Sequence, residues 1–102
     1  PSVGYSRYPS VTPMWDNSAR RRTGAVILRD STPESYGLWL DHTARCVASG
    51  GSPYGLLFIN AWNEWAEGCH LEPCRKWGTA YLEVTRDVLG SVRKQIAVDI
   101  GA

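Results

Sequence analysis

One short run constrains the architecture of this chain more than any other feature. Gly55-Leu56-Leu57-Phe58-Ile59 is unbroken by charge, with Gly50-Gly51-Ser52-Pro53 before it and Asn60 after it. A brief, continuously apolar run between turn residues reads as a strand, here Tyr54 to Asn60, buried on both faces. Strands of that kind belong to parallel sheets covered by helices, because parallel neighbours need a crossover on each face.

The flanking segments supply such helices. Ser31-Thr32-Pro33-Glu34 combines a capping hydroxyl, a proline suited to the first turn and an early acid facing the helix dipole. Tyr36, Trp39, Leu40, Thr43 and Val47 then recur at helical spacing, until Gly50-Gly51-Ser52-Pro53 turns the chain. A second helix is expected from about Thr79 to Ile96, with Tyr81, Val84, Val88, Val92 and Ile96 along one stripe and Gly90 weakening it slightly. Upstream, Tyr5 to Pro13 reads as a short strand ending near Thr12-Pro13. A polar loop, Met14 to Arg22, follows it, and Ala25-Val26-Ile27-Leu28 is too short to classify by periodicity.

The order is strand, polar loop, helix, strand, polar loop, helix: two β/α units in series. Both chemically rich loops follow the C-terminal ends of strands, where α/β folds bind their ligands. Two units cannot close an eight-stranded barrel, which takes ~250 residues. The 102 residues therefore read as one domain, 1–102, forming the last part of a larger α/β fold, and a start at Pro1 suggests processing or a fragment.

The loop after the apolar strand is the chemically dense one: Asn60-Ala61-Trp62-Asn63-Glu64-Trp65-Ala66-Glu67-Gly68-Cys69-His70-Leu71-Glu72-Pro73. Charges that close to a core are either satisfied or used. If the chain turns helically here, the spacing of Glu64 and Glu67 places both carboxyls on one side. Two neighbouring carboxyls repel, so one tends to hold its proton while the other stays ionised, the pairing that glycosidic cleavage needs. Two solvated loop glutamates are the plain alternative.

Trp62, Trp65 and Asn63 would line the same cleft, and His70 and Glu72 divide between sugar contact and scaffolding. Trp15-Asp16-Asn17 is a second patch, an indole to stack on a sugar face beside two hydrogen-bonding side chains, unless these are turn residues. Five Trp and five Tyr against one Phe suit a sugar-binding cleft. Arg20-Arg21-Arg22 is more simply a solvated charge cluster, although an acidic glycan would give it work.

Composition excludes several other classes. A net charge of +1 gives no broad field for nucleic acid or a membrane surface, and no apolar run approaches the ~20 residues of a membrane span. Cys69, His70, Glu72 and Cys74 fit none of the usual zinc spacings, so no metal or other cofactor is expected. Three cysteines, Cys46, Cys69 and Cys74, are simplest as reduced thiols. No glycine-rich phosphate loop, serine-nucleophile elbow or paired-histidine metal motif occurs.

Phe58 to Gly68, then Leu71-Glu72-Pro73 and Gly78-Thr79-Ala80-Tyr81-Leu82-Glu83, resemble the WbsX-like glycosyltransferase family, related to glycoside hydrolase family 99. Pro13-Met14-Trp15-Asp16-Asn17-Ser18-Ala19-Arg20-Arg21 resembles a second block of that family. The resemblance implies the C-terminal β/α units of a (β/α)8 TIM-type barrel, incomplete in this chain, whose remaining units belong to the parent chain. It implies catalysis by Glu64, as base toward a sugar 2-hydroxyl, and by Glu67, as the acid that protonates the leaving oxygen.

The implied substrate is a glycan or sugar donor, mannose-containing or from a bacterial surface polysaccharide. Hydrolysis, transfer in polysaccharide biosynthesis and a non-catalytic glycan-binding module all stay open. So does localisation: cytoplasmic for polysaccharide assembly, exported if a signal peptide precedes Pro1. The family has Thr and Asp where this chain has Cys69 and Cys74, which puts the local hydrogen-bond network in question.

Overall fold

A computed structural model describes residues 3–99 and 101. The elements are β1 (Ser10–Val11), α1 (Pro33–Ala48), β2 (Phe58–Ile59), β3 (Asn63–Glu64), β4 (Cys69–His70) and α2 (Ala80–Asp99). Single 3₁₀ turns sit at Ser18–Arg20, Pro53–Gly55 and Trp65–Glu67.

The helix signals work as the residues suggest. Thr32 Oγ1 accepts from the Ser35 amide at 3.1 Å, Pro33 occupies the first helical position, and Glu34 lies in the first turn with Arg45 in the last. Ser49 and Gly50 donate back to carbonyls of the final turn, and Gly50 takes the positive φ of 90° that ends the element. At α2 the Thr79 hydroxyl bonds Glu83 Oε2 at 3.0 Å, and the helix continues to Asp99, three residues past the expected end, without a break at Gly90.

β1 and β2 pair in parallel, Ser10 with Phe58 and Val11 with Ile59, and α1 is their crossover. The Phe58 amide donates to Pro9 O at 3.0 Å and the Asn60 amide to Val11 O at 2.9 Å, the slanted spacing of a parallel ladder. Both polar loops therefore leave from the same end of one sheet.

The core sits where the two helices meet the strands. Val11, Tyr36, Leu40 and Tyr81 are fully buried, with Leu57, Ile59, Val84 and Val88 packed around them. Gly37 lets the helices approach, because a Cβ there would stand 2.8 Å from Val84 Cγ1. Thr85 Oγ1 donates to Tyr81 O at 2.7 Å, so the Tyr36 hydroxyl, 2.7 Å from the same oxygen, is the donor in its bond to Thr85.

One expectation changes. The apolar run is covered on one face only: Leu57 and Ile59 turn toward the helices, while Phe58 is 54% exposed and Leu56 is exposed as well. The alternation is that of any strand, and the Tyr8 ring meets Phe58 edge to face at 6.1 Å. The chain is correspondingly open. It exposes 7283 Å², where a compact monomer of its 11.3 kDa exposes about 5,700 Å². Its shortest dimension is 19 Å.

Candidate active site

The chain leaves β2 through a cis Asn60–Ala61 peptide and folds the dense motif into a small antiparallel hairpin. Asn63 pairs with His70 and Glu64 with Cys69, and the turn between them is Trp65–Glu67 followed by Gly68. Gly68 is needed there for two reasons. Its φ of 56° is left-handed, and a Cβ would lie 3.1 Å from Asp16 O and 3.3 Å from Asp16 Cβ.

That approach is how the two loops meet. The Asp16 amide donates to Glu67 O at 2.8 Å, and Arg20 Nη1 forms an ion pair with Glu67 Oε1 across the loops. Glu67 is thereby the most constrained carboxylate of the motif: its side chain is 16% exposed, and Oε2 is buried with no hydrogen-bond partner among the described residues. A buried carboxylate oxygen without a donor is uncommon and costly unless something binds it.

Glu64 is different. It ends β3 on the exposed side, beside Asn63 and the half-exposed indoles of Trp62 and Trp65, at 50% and 49%. Both glutamates lie near Cys69. Burial raises the Cys69 thiol above its ordinary pKa, the Ala61 and Met14 backbone groups offset this in part, and the charges of Glu64 and Glu67 raise it further. The two candidate carboxyls thus stand at opposite ends of a three-residue turn rather than along one helix face.

Trp65, His70 and Glu72 form one unit. The imidazole of His70, buried at 8% exposure, stacks on the Trp65 indole with centroids 3.7 Å apart. Trp65 Nε1 donates to Glu72 Oε1 at 2.6 Å, and His70 Nδ1 lies 3.0 Å from Glu72 O. Glu72 therefore orients an indole, and His70 supports that indole from behind.

In the first loop, Trp15 to Asn17 runs antiparallel to the Val26–Leu28 stretch that periodicity could not classify. Leu28 donates to Trp15 O at 2.9 Å, Asn17 to Val26 O at 3.3 Å, and Asp16 bridges Ile27. Asp16 Oδ1 accepts from both the hydroxyl (2.6 Å) and the amide (2.9 Å) of Ser18, which hold its carboxyl below the usual range. Asn17 Oδ1 accepts from the Val26 amide at 2.7 Å. Asp16 is thus partly occupied as a turn residue. Trp15 and Asn17 instead join Arg20, Arg21 and Glu67 around a cavity of about 240 Å³.

Arg20 is the residue that sequence reasoning missed. The available signal was its place in the Pro13–Arg21 block, directly after the Trp15-Asp16-Asn17 patch. Its long-range partner is set by the Ser18–Arg20 turn and could not be read from the spacing.

The two unusual cysteines have local roles. Cys69 Sγ donates to Asn60 O at 2.9 Å, a bond a Thr hydroxyl would also make. Cys74 Sγ accepts from the Trp77 amide at 3.3 Å at the start of the turn leading to Gly78, a bond an Asp carboxylate would make more strongly. All three cysteines are free. Among the described residues no group of three or more His, Cys, Asp or Glu side chains could hold a metal ion, and no helix is long and apolar enough to cross a membrane.

The family model described as glycosyltransferase WbsX matches residues 1–85, which includes both loops and the whole hairpin. The chain belongs to the WbsX glycosyltransferase family. It is 43% identical over 90 residues, 87% of its length, to the uncharacterised protein WxcX of two strains of Xanthomonas campestris pv. campestris. That match covers 13% of the WxcX chain. No solved structure matches the chain. The family's description is that of a glycosyltransferase, and the chain spans about an eighth of the length of these relatives.

Proposed function

We propose that this chain supplies one wall of a glycan-processing active site that acts on glycosidic bonds through Glu64 and Glu67. The observation that carries the reading is the cross-loop clasp. The loops that follow the C-terminal ends of two parallel strands are joined at Glu67, by the Asp16 amide and the Arg20 guanidinium. That is the placement α/β folds use for catalysis, and the face carries two carboxylates with exposed indoles.

A (β/α)8 barrel fits the same observations. β1, α1 and β2 make one parallel crossover unit, and α2 completes a second. The exposed strand face around Phe58, and the roughly 1,500 Å² exposed beyond a compact monomer's surface, are what further strands and helices would cover.

Within such a site Glu64, open to solvent beside Trp62 and Asn63, is placed to accept a proton from a sugar hydroxyl. Glu67 would serve the leaving oxygen, either through Oε2 or through Oε1 once Arg20 moves. Trp65, fixed by Glu72 and His70, offers a flat wall for a pyranose ring. The family's description as glycosyltransferase favours an acceptor hydroxyl over water in the final step.

The test is Glu64→Gln and Glu67→Gln in the full-length protein, assayed for glycan hydrolysis and for transfer from activated sugar donors. Each substitution is expected to lower turnover by roughly 10²- to 10⁴-fold, the usual contribution of a positioned acid or base. Turnover within a few-fold of wild type would remove the catalytic assignment. Retained glycan binding, with no turnover even in the unsubstituted protein, would make this a binding module.

A further inference from the structure

The Arg20-Arg21-Arg22 run has so far been given one task, the pairing of Arg20 with Glu67. Two of its members line the cavity that Glu67 closes. That cavity holds about 240 Å³ between Trp15, Asn17, Arg20, Arg21 and Glu67. We infer that it is the subsite for a sugar unit bearing an anionic group, a carboxylate or a phosphate. The inference rests on Glu67 belonging to the reactive site.

Charge gives the first argument. Arg20 neutralises the single carboxylate of the cavity, so the Arg21 guanidinium is in excess. From Asn17 to Arg29 the chain contains four arginines and no Asp or Glu; of the two aspartates that bracket the stretch, Asp16 is held by Ser18 and neither forms an ion pair with Arg21. Three adjacent cations repel one another, and a turn that needed only to hold Glu67 would need only one.

Donor geometry gives the second. Arg21 Nε reaches Thr23 O at 3.4 Å, at the long limit of a hydrogen bond, so the fork is barely engaged. Arg20 uses Nη1 on Glu67 and keeps its other donors. Asn17 presents its amide N–H groups, because Oδ1 is occupied by the Val26 amide. The cavity therefore offers donors from three side chains and one apolar face, the Trp15 indole.

Neutral sugars need acceptors as well as donors, because every hydroxyl both gives and takes. A donor-rich wall with planar guanidinium forks matches the two parallel oxygens of a carboxylate or phosphate. The indole then packs against the C–H face of the same ring. The place beside Glu67 puts the charged unit next to the reacting bond.

The experiment measures binding of methyl glucuronide, glucose 1-phosphate, methyl glucoside and inorganic phosphate to the full-length protein by calorimetry. It uses wild type, Arg21→Gln, Arg21→Lys and Glu67→Gln. One charged sugar is expected to bind about 10- to 100-fold more tightly than methyl glucoside, the range for one or two charge-assisted hydrogen bonds. Which charged sugar does so separates the carboxylate source from the phosphate source.

Arg21→Gln should remove that margin while leaving the melting temperature unchanged, because the long bond to Thr23 O is the one hydrogen bond Arg21 makes among the described residues. Arg21→Lys, which keeps the charge without the fork, should restore only part of it. Equal binding of all three sugars, an unchanged margin in Arg21→Gln, or inorganic phosphate binding as tightly as glucose 1-phosphate would each overturn the subsite. Glu67→Gln separates the two readings. If it keeps turnover while Arg21→Gln abolishes discrimination, the catalytic role of Glu67 fails and the subsite stands. If turnover is lost and discrimination was never present, the subsite fails and the catalytic role stands.

Discussion

Tyr81 gives the sharpest test of how the two helices are packed. Its ring is 3% exposed, lies 5.4 Å from the Tyr36 ring and meets Trp77 edge-on at 6.0 Å. Its hydroxyl is buried with no hydrogen-bond partner among the described residues. Tyr81→Phe keeps the ring contacts and removes a desolvated, unpaired hydroxyl. An unsatisfied buried group costs about 1–3 kcal/mol; with the small void left behind, the variant should be more stable by about 1 kcal/mol at pH 7.

The same burial pushes the Tyr81 pKa up from 10.0 to about 12, with the charges of Cys74, Glu34 and Tyr36 adding to it. The sign follows. Below pH 10 the hydroxyl is neutral in both states and has no effect on the pH dependence. As pH rises past 10 the unfolded chain ionises while the folded chain does not, so stability falls until about pH 12. Solvent screening reduces the effect below that of the full shift, so the loss is on the order of 1 kcal/mol by pH 12. Tyr36, also raised by burial, loses stability in the same direction in both proteins.

Urea unfolding of wild type and Tyr81→Phe, followed by circular dichroism under reducing conditions at pH 7 and pH 11, should show the variant's advantage widening by a few tenths to about 1 kcal/mol. A variant that is less stable at pH 7 would mean the hydroxyl has a partner. A gap that does not widen would mean it is hydrated.

Two further substitutions test the frame of the site. Leu40→Ala, at a fully buried position between Val11, Tyr36 and Tyr81, should lower stability by about 2–5 kcal/mol in the same urea assay; a loss below 1 kcal/mol would mean that α1 does not pack on β1 as described. Gly68→Ala places a side chain in the left-handed region and against Asp16, so it should destabilise by about 1–2 kcal/mol. Because it also pushes the first loop off Glu67, it should broaden or shift the amide resonances of Asp16 and Glu67 while leaving those of α2 unmoved; an unchanged spectrum around Asp16 would contradict the close approach.

The parts of this fold that are legible in the sequence are those with a local cause. Thr32 and Pro33 start α1 through chemistry contained in four residues, and of the expected α2 stripe Tyr81 and Val92 are buried, Val84 and Val88 partly so, while Ile96 is 40% exposed. The apolar run around Phe58 is legible as a strand, but not in its coverage. Burial of a strand face depends on what lies across it, and only the Leu57 and Ile59 side has helices against it here. The turn carrying Glu64 and Glu67 is likewise a tertiary product. The residues could have formed a helix turn, but the pairing of Asn63 with His70 and of Glu64 with Cys69 pulls them into a hairpin.

The site shows the same division more sharply. Composition and spacing could place carboxylates, indoles and amides at the end of a strand. They could not say which groups hold the others in position. Glu72, open between sugar contact and scaffolding, anchors Trp65, and Asp16, open between hydroxyl reader and turn residue, closes a turn with Ser18. Arg20 looked like a solvated charge and instead reaches Glu67, 47 residues away. Each of these polar side chains is engaged within the fold. A charge beside a core has to be satisfied before it can be used, so most of the polar residues in a dense motif are committed to that first task. The groups left least engaged among the described residues are the exposed carboxylate of Glu64, the buried Oε2 of Glu67 and the fork of Arg21.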